Sequence, residues 1–396
     1  DGNHLEESGG DGGMKWEKVK LGDIATFSNG INFNKTAYAK GIKLIGVSNF
    51  GDRFYPDYSQ LQEVKKDIVR LEDCLRNGDI VFVRSNGNKE LVGRCMLVKN
   101  PTERVTYSGF CIRARLNDTD RYDPVYFTYY FKSKAFRRAV SGTAVGANIQ
   151  NLSQARLSNH ECRIPSIEVQ HRIADILSAY DDLIENNQKQ IKLLEEVAQR
   201  LYKEWFVNLR FPGHENTKIV DGVPEEWRKF PLEEIAPVVT GKKDANYGDK
   251  GGNYPFFTCS QETITAPGYS FDTSAVILAG NGDFNVKLYR GKFEAYQRTY
   301  VLAPFDHSNL FNLYFTVQNN MEALAKGASG STIKFLTKGM LQKILVLTAD
   351  KKILDKFNDY EENIQQKVEA LKKQVEDLTE IRNRLLPKLM SGEVEV

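Results

Sequence analysis

The chain has 396 residues, of which 41% are hydrophobic and 27% charged, and its formal net charge at neutral pH is +2. This length can bury more than one hydrophobic core and predicts two or three domains. Five cysteines without a CxxC pair or a nearby set of histidines argue against a disulfide framework and a zinc site, and they indicate reduced thiols. No apolar run can span a bilayer and no signal-peptide pattern is present, so we expect a cytoplasmic protein.

The first thirteen residues differ in character from the rest of the chain. Residues 1–13 are rich in glycine and acidic side chains, show no hydrophobic periodicity and precede Met14. We interpret them as a remnant of an expression vector and exclude them from the fold. The remaining chain is more basic than the whole, which is compatible with nucleic-acid binding but not diagnostic of it.

Blocks of residues recur in the same order along the chain. A constant offset relates Trp16, Val19, Leu21, Ile24, Ala25 and Gly30 to Trp227, Phe230, Leu232, Ile235, Ala236 and Gly241. At smaller offsets, Gly146, Ile149, Leu152 and Leu157 recur as Gly330, Ile333, Leu336 and Leu341, and Ile173, Asp175, Tyr180 and Ile184 as Ile353, Asp355, Tyr360 and Ile364. Such a long unit, present only twice, indicates a pseudo-dimer folded from one chain, with an approximate two-fold axis between the copies.

Each copy begins with a globular part that mixes strands and helices. In the first copy, β-type runs at 80–83 and 94–98 are separated by Gly/Asn turns. A helix is predicted to begin at Asp123 and Pro124, and its aromatic residues recur at helical spacing, which favours a core over a base-stacking surface. The second copy has β-type runs and one helical segment at 274–278, 287–290, 299–302 and 310–325. The globular parts are therefore predicted to be α+β.

A long helix follows each globular part. Apolar residues recur there in steps of three and four, as in a coiled coil. The first stripe is Ile173, Ile176, Tyr180, Leu183, Asn187, Ile191, Leu194, Ala198, Leu201 and Trp205; the second is Leu354, Phe357, Ile364, Val368, Leu371, Val375, Leu378, Leu385 and Leu389. We expect the helices to pack antiparallel and hold the globular domains apart, each helix being roughly 50 to 55 Å long at ~1.5 Å per residue. Asn187 is either a buried amide that sets the register or a hydrated one.

These patterns define the expected fold class and domains. The fold class is α+β, with two similar globular domains separated by two long antiparallel coiled-coil helices in a pseudo-two-fold repeat. We place domain 1 at 14–165, the first helix and a linker at 166–210, domain 2 at 211–348, and the second helix with a C-terminal tail at 349–396.

Several segments together resemble the specificity subunits of Type I restriction-modification systems. They are Trp16–Ala25, Trp227–Ala236, the loop 142–153, the segment 164–177 and the ending 385–396. The resemblance extends from Met14 onward. It implies a non-catalytic subunit with two target-recognition domains, each of which recognises one half of a split sequence in double-stranded DNA.

The same resemblance implies partners for the helices. They would dock two methyltransferase subunits, and nuclease/translocase subunits would join through those. This chain would bind no cofactor, and S-adenosylmethionine would belong to the methyltransferase. Residues 347–350 stand where the family usually has a proline-rich stretch, so the start of the second long helix stays open.

Two loops that follow β-type runs are candidates for DNA contact. They combine small hydrogen-bonding side chains, flexible glycines and cations, which can approach phosphates and base edges. The candidate residues are Arg84, Ser85, Asn86, Asn88 and Lys89 in the first copy and Asn281 and Asn285 in the second. The alternative is an ordinary hairpin turn, because Asn-Gly is the commonest turn dipeptide.

Further candidates lie in two loops of small residues and in a lysine pair. The loop candidates are Thr143, Gly146, Asn148 and Gln150 in the first copy and Ser329, Ser331, Thr332 and Lys334 in the second. Their alternative role is a helix C-terminal cap. Lys242 and Lys243 follow Gly241, and the alternative there is a solvated pair.

Enzymatic functions find little support in the sequence. Neither a GxxxxGK[ST] loop nor a strand-linked GxGxxG is present, and the Asn/Asp-Pro-Pro-aromatic tetrad of amino-methyltransferases is absent. The series Pro56, Asp57, Glu63, Val64 and Lys65 imitates a metal-dependent nuclease, but the spacing is too short for two strands that share an ion. We expect no catalytic residue and no metal ligand. The alternative functions are a DNA-binding adaptor of another defence or repair complex and, third, a metal-dependent nuclease.

Overall fold

The computed structural model describes residues 16–51, 53–85, 91–140, 152–328, 330 and 334–396. The chain divides into two units. Unit 1 consists of the described residues up to Asn186 together with Gln374–Val396, and unit 2 is Asn187–Lys373. Both boundaries fall inside long helices, so each unit contains part of each long helix. This division differs from the expected one, which assigned the helices to segments of their own.

Unit 1 is built on a four-stranded antiparallel sheet. Its elements are β1 (Glu17–Lys20), α1 (Leu21–Ile24), β2 (Ala25–Asn29), β3 (Tyr38–Ile45), β4 (Gln62–Val64), β5 (Ile80–Val83), β6 (Cys95–Leu97), β7 (Val105–Tyr107), β8 (Cys111–Leu116), α2 (Pro124–Lys132), α3 (Lys134–Val140), α4 (Gln154–Ser158), β9 (Glu161–Ile164) and the first part of α5 (Ile167–Tyr202). The main sheet has the order β2-β8-β5-β6, a second sheet has the order β4-β3-β7, and β1 pairs with β9.

Helix α2 begins where the sequence predicts and covers the main sheet. The Asp123 carboxylate accepts a hydrogen bond of 2.6 Å from the Tyr126 backbone N–H, and Pro124 occupies the first turn. Its aromatic residues Phe127 and Phe131 are fully buried in the core that α2 shares with β5 and β8. The prediction that these aromatic residues form core rather than a base-stacking surface is confirmed.

Unit 2 has the same strand order at one end of a larger sheet. Its elements are β10 (Ile219–Val220), β11 (Val223–Pro224), β12 (Arg228–Pro231), α6 (Leu232–Ile235), β13 (Val238–Thr240), β14 (Tyr254–Phe257), β15 (Ile264–Ala266), β16 (Phe271–Ala279), β17 (Val286–Ala295), β18 (Thr299–Leu302), α7 (Leu310–Gly327), α8 (Lys338–Gln342), β19 (Leu345–Thr348) and the first part of α9 (Lys351–Ser391). The six-stranded sheet has the order β13-β18-β16-β17-β14-β15. Strands β13, β18, β16 and β17 correspond to β2, β8, β5 and β6.

The two long helices contact each other within each unit. In unit 1, Asp181 on α5 pairs with Arg382 on α9 and accepts a hydrogen bond of 2.5 Å from the Tyr129 hydroxyl. In unit 2, Lys372 on α9 lies 3.3 Å from the Glu195 carboxylate on α5. After Tyr202, α5 continues into a π-helical turn, Lys203–Val207. Helix α9 begins directly after Asp350, whose carboxylate caps the helix by accepting a 3.1 Å hydrogen bond from the Ile353 backbone N–H. This locates the start of the helix, which the sequence left open.

The expected apolar stripe of α5 is wrong at one position. Leu183 is 50% exposed, whereas its neighbour Ile184 is only 8% exposed. Adjacent helical residues are rotated by roughly 100°, so only one of the two can face the core. Ile184 follows Leu177 and Asp181 at helical spacing. Leu177 belongs to the core that includes residues of α2 and α9, and Asp181 is hydrogen-bonded to Tyr129 on α2. Asn187 is buried, which favours the buried amide over the hydrated one.

Candidate nucleic-acid interface

In unit 1, three chain segments meet at the end of strand β5. The Arg84 backbone N–H, just after β5, donates a 2.8 Å hydrogen bond to the Phe110 carbonyl. The Leu152 N–H in turn donates to the Arg84 carbonyl at 2.9 Å. Residues 108–110 form the turn between β7 and β8, and we call this turn, with its counterpart in unit 2, the tip turn. The Gly109 N–H donates to the Ile31 carbonyl at 2.7 Å, which ties the tip turn to the end of β2.

The same backbone hydrogen bonds recur in unit 2. The Gly280 N–H donates to the Arg298 carbonyl at 2.9 Å, and the Leu336 N–H donates to the Gly280 carbonyl at 2.8 Å. The tip turn here is 296–298, between β17 and β18, and the Gln297 N–H donates to the Lys243 carbonyl at 2.9 Å. Phe110 and Arg298 therefore occupy equivalent backbone positions in the two units.

A glycine lets the tip turn lie close to the neighbouring strand in each unit. A Cβ atom at Gly30 would lie 2.2 Å from the Tyr107 carbonyl oxygen. At Gly241 it would lie 2.0 Å from the Ala295 carbonyl oxygen. Both contacts involve backbone, which cannot move aside as a flexible side chain can. The Gly30/Gly241 pair of the sequence repeat is thus explained by the close approach of the tip turn.

A buried ion pair joins β5 and β8 at the end of the two strands away from the unit 1 tip turn. Asp79, directly before β5, is 1% exposed and accepts two 2.7 Å hydrogen bonds from the Arg115 guanidinium on β8. It also accepts a 2.6 Å bond from the Arg76 backbone N–H. The hydrogen bonds from Arg115 to Asp79 raise the pKa of the guanidinium above its ordinary value. This bidentate pair fixes β5 against β8 and so positions Arg84 relative to the tip turn.

The structure places two of the unit 1 candidates at this site. Arg84 is half-buried, and its Nη1 donates a 3.2 Å hydrogen bond to the Gly109 carbonyl, so its side chain lies along the tip turn. Ser85 is half-buried, and its backbone N–H reaches the Phe110 carbonyl at 3.4 Å. The remaining candidates of unit 1 and three from unit 2 lie outside the described residues: Asn86, Asn88, Lys89, Thr143, Gly146, Asn148, Gln150, Ser329, Ser331 and Thr332.

In unit 2 the structure brings several candidates together. Asn281 bridges to Phe335, and the Gly282 N–H donates to the Lys334 carbonyl at 3.4 Å, so Asn281 and Lys334 lie side by side. Lys334 and Lys242 are exposed. Lys243 is half-buried, with its Nζ 4.4 Å from the ring centroid of Tyr247.

The Asn285 side chain stabilises the turn in which it lies. Its Nδ2 donates to the carbonyls of Cys259 at 3.2 Å and of Asp283 at 2.8 Å. Gly282 has a φ of +69°, and the Ala279 N–H donates to the Asn285 carbonyl at 2.9 Å, which closes the hairpin between β16 and β17. The turn alternative therefore describes the role of Asn285 well.

Two exposed side chains at the tip turns were not among the expected contacts. Phe110 is 63% exposed, and Arg298 is exposed as well. The offset between Gly30 and Gly241 does not carry over to the tip turns, because the middle of the second copy is shorter. Phe110 and Arg298 can be aligned only from the structure, in which β8 pairs with β5 as β18 pairs with β16.

The nuclease-like residues have separate local roles. The Asp57 carboxylate accepts hydrogen bonds from Ser59 and, at 2.8 Å, from Arg53, and the bond from the Ser59 side chain does most to lower its pKa. The Glu63 carboxylate accepts a 2.6 Å bond from the Gly41 N–H. No cluster of metal-ligating side chains occurs in the part of the chain that the structure describes. Among those same residues, no helix is long and apolar enough to cross a membrane.

Comparisons with known proteins agree with this arrangement. The model of the Type I restriction modification DNA specificity domain matches residues 14–196 and again residues 224–377, so each match contains one tip turn. The EcoDI specificity subunit of Escherichia coli is 37% identical over 176 residues, which are 43% of this chain and 39% of that protein. The MjaIX specificity subunit of Methanocaldococcus jannaschii is 26% identical over 336 residues, or 77% of this chain and 76% of that protein.

A solved structure extends the comparison over the full chain. The Type I restriction-modification S subunit from M. genitalium is 18% identical, covers 98% of each chain and superposes with a TM-score of 0.61, which shows a shared fold. The double match of the family model covers well over half of the sequence. The chain therefore belongs to the Type I restriction-modification DNA specificity family, whose members are non-catalytic specificity subunits.

Proposed function

We propose that this chain is the DNA-recognition and scaffold subunit of a Type I restriction-modification complex, and that each unit recognises one half of a bipartite target. One observation carries the proposal. The same backbone hydrogen bonds hold a tip turn, with an exposed side chain at its last residue, beside a strand end in both units. The two tip turns share one backbone arrangement but carry different side chains, which suits a DNA target whose two halves differ in sequence.

The long helices are proposed as the scaffold. In this proposal α5 and α9 form an antiparallel coiled coil, a pseudo-two-fold axis relates the two domains, and the helices dock two methyltransferase subunits. The contact between Lys372 and Glu195 supports the pairing. Leu193 and Val197 lie one turn apart on α5 and are 60% and 54% exposed, which leaves apolar surface for a partner. S-adenosylmethionine would be bound by the methyltransferase, and nuclease/translocase subunits would join through it.

The experiment that tests the proposal is methylome sequencing of a host that expresses this chain with a methyltransferase subunit of its system. We expect a split motif with methylated adenine. A continuous motif would contradict recognition by two domains, and the absence of any motif, together with tight DNA binding, would favour the adaptor alternative. DNA cleavage by the purified chain with Mg²⁺ would favour the nuclease.

A domain exchange tests whether the halves act independently. Replacing residues 15–165 with the same segment of a relative is expected to change one half of the motif and leave the other unchanged. The segment includes both partners of the β1–β9 pair, so the exchange cuts no sheet. Methylome sequencing of the chimera gives the answer, and a simultaneous change in both halves would contradict modular recognition.

A substitution at Arg84 tests direct recognition by unit 1. Arg84→Ala is expected to weaken binding of the methyltransferase complex by about 1 to 3 kcal/mol and to relax selectivity in one half-site, because arginine can make a bidentate contact to guanine. Arg84→Lys keeps the charge without the bidentate geometry and should lose selectivity too. Lys89→Ala should weaken all sequences alike and reduce the salt dependence by roughly one unit. Binding to matched and mismatched duplexes across a salt series measures these effects, and intact selectivity in Arg84→Ala would exclude the contact.

A further inference from the structure

The tip turns present different side chains on the same backbone frame. Phe110 in unit 1 and Arg298 in unit 2 each accept, through the carbonyl, the hydrogen bond from the residue that follows the central strand. Strand pairing makes the equivalence unambiguous, because Cys111 pairs with Val83 as Thr299 pairs with Ala279. One position therefore carries an aromatic side chain in one unit and a cation in the other.

Neither side chain contributes to the fold of its unit. Phe110 is 63% exposed, while the next residue, Cys111, is completely buried in the core. The backbone N–H of Phe110 is bound by the Ser108 hydroxyl at 3.2 Å, so the main chain holds the turn without help from the ring. Arg298 is exposed, and its guanidinium makes no ion pair or hydrogen bond with the residues that the structure describes.

The surroundings of both side chains suit a polyanion. The Arg84 guanidinium lies along the unit 1 tip turn, bound to the Gly109 carbonyl at 3.2 Å. In unit 2, the tip turn is bonded to Lys243, next to the exposed Lys242. Two carboxylates adjoin this turn and both are engaged by amides: Asp244 accepts a 2.7 Å hydrogen bond from the Gln297 side chain, and Asp283 in the adjoining hairpin accepts one of 2.8 Å from the Gln261 side chain. An exposed aromatic ring beside an arginine can contact a thymine methyl or a base face, and an unpaired arginine can bind guanine.

We infer that the tip-turn side chain is a base-contacting, specificity-determining residue in each unit: Phe110 makes an apolar contact to a base of one half-site, and Arg298 hydrogen-bonds a base of the other. This inference rests on the proposed function and names residues within it. A shared structural role, or a shared protein partner, would favour the same chemistry at both positions. Two half-sites of different sequence instead require different chemistry on one frame.

The test uses the complex of the full chain with its methyltransferase subunit and a set of duplexes in which each base pair of the bipartite motif is changed singly. Phe110→Ala is expected to lower affinity for the matched duplex about tenfold and to remove the mismatch penalty at one or two adjacent positions of a single half-site. Arg298→Ala should do the same in the other half-site only. Arg298→Lys should not restore discrimination, because lysine lacks the planar bidentate geometry.

Matched controls are available in unit 2. Phe305 is 70% exposed and lies beyond the other end of β18, so Phe305→Ala removes an exposed ring away from the tip turn. Arg228 is an exposed cation on β12, and Arg228→Ala removes the same charge. Both controls should keep every mismatch penalty. Because all four side chains are exposed, the variants should unfold at the wild-type temperature.

The outcomes separate the two proposals. If the wild-type complex recognises a bipartite motif but Phe110→Ala and Arg298→Ala keep all mismatch penalties, the tip turns are not specificity-determining while the proposed function stands. If both variants lose affinity equally for matched and mismatched duplexes, the two side chains contact only the DNA backbone. That result would also overturn the inference. If the wild-type complex recognises no bipartite motif, the proposed function itself fails.

Discussion

Replacing Asp79 with alanine is expected to lower the free energy of unfolding of unit 1 by about 3 to 5 kcal/mol. The Asp79 carboxylate is 1% exposed, and the Arg115 side chain that it binds at 2.7 Å is only 25% exposed. Removal of the carboxylate leaves a guanidinium without its partner in a largely dry site, and the Arg76 N–H loses its acceptor as well. The sheet that positions Arg84 and the tip turn would therefore open more often.

Urea unfolding combined with hydrogen exchange of β5 and β8 peptides measures this loss in unit 1 alone. An exposed pair in the same unit is the control. Lys18 and Glu161 lie 2.6 Å apart with side chains 66% and 56% exposed, so Glu161→Ala should have little effect. The double variant Asp79→Leu with Arg115→Met should recover most of the loss, because it leaves no buried charge. Equal instability of the single and double variants would show that the unpaired charge is not the cause.

The second large effect is expected at Glu361, on the face of α9 that packs within unit 2. Its side chain is completely buried, and neither carboxylate oxygen has a hydrogen-bond partner among the described residues. Burial raises the pKa of Glu361 to about 8. At neutral pH the folded protein therefore keeps a proton that the unfolded chain releases.

The sign of the pH effect follows from this shift. The pKa is raised in the folded state, so unit 2 should lose stability as pH rises from the ordinary carboxyl value of 4.5 toward 8, and no further above that. Glu361→Gln cannot ionise and should remove this slope. At pH 8 we expect the variant to be more stable than the wild type by on the order of 3 kcal/mol, and near pH 4 the difference should be small.

Urea unfolding at a series of pH values, followed by tryptophan fluorescence, measures the slope. The Trp205 ring lies 5.8 Å from that of Phe357, one turn before Glu361, so it reports on this part of unit 2. Glu362→Gln is the control: that carboxylate is partly exposed and pairs with Arg290 at 2.7 Å, and its loss should leave the slope unchanged. A pH slope that survives in Glu361→Gln would place its origin in another group.

Local signals explain most of what the sequence predicts correctly. The start of α2 is encoded by Asp123 and Pro124, a cap and a first-turn proline that act within one turn of helix. The strands at 80–83 and 299–302 are likewise bounded by turns next to them. Each of these predictions depends on residues that are neighbours in the chain.

Errors arise where the outcome depends on a distant partner. Leu183 and Ile184 are adjacent apolar residues, and only packing against distant parts of the chain decides which of them is buried. Glu361 falls on the apolar stripe between Phe357 and Ile364, but a charged residue there cannot be assigned as buried from periodicity alone. The tip turn escapes prediction for the same reason, because it is defined by strands that pair across long stretches of chain.

The way in which the tip turn is fastened has a consequence for how this protein changes over generations. Main-chain hydrogen bonds and the close approach at Gly30 and Gly241 hold it, so the identity of its outward side chain is irrelevant to stability. A substitution at Phe110 or Arg298 thus leaves folding intact. In the proposed mode of recognition, natural selection could then alter the preferred DNA sequence one base pair at a time, in one half independently of the other, without any compensating mutation elsewhere in the chain.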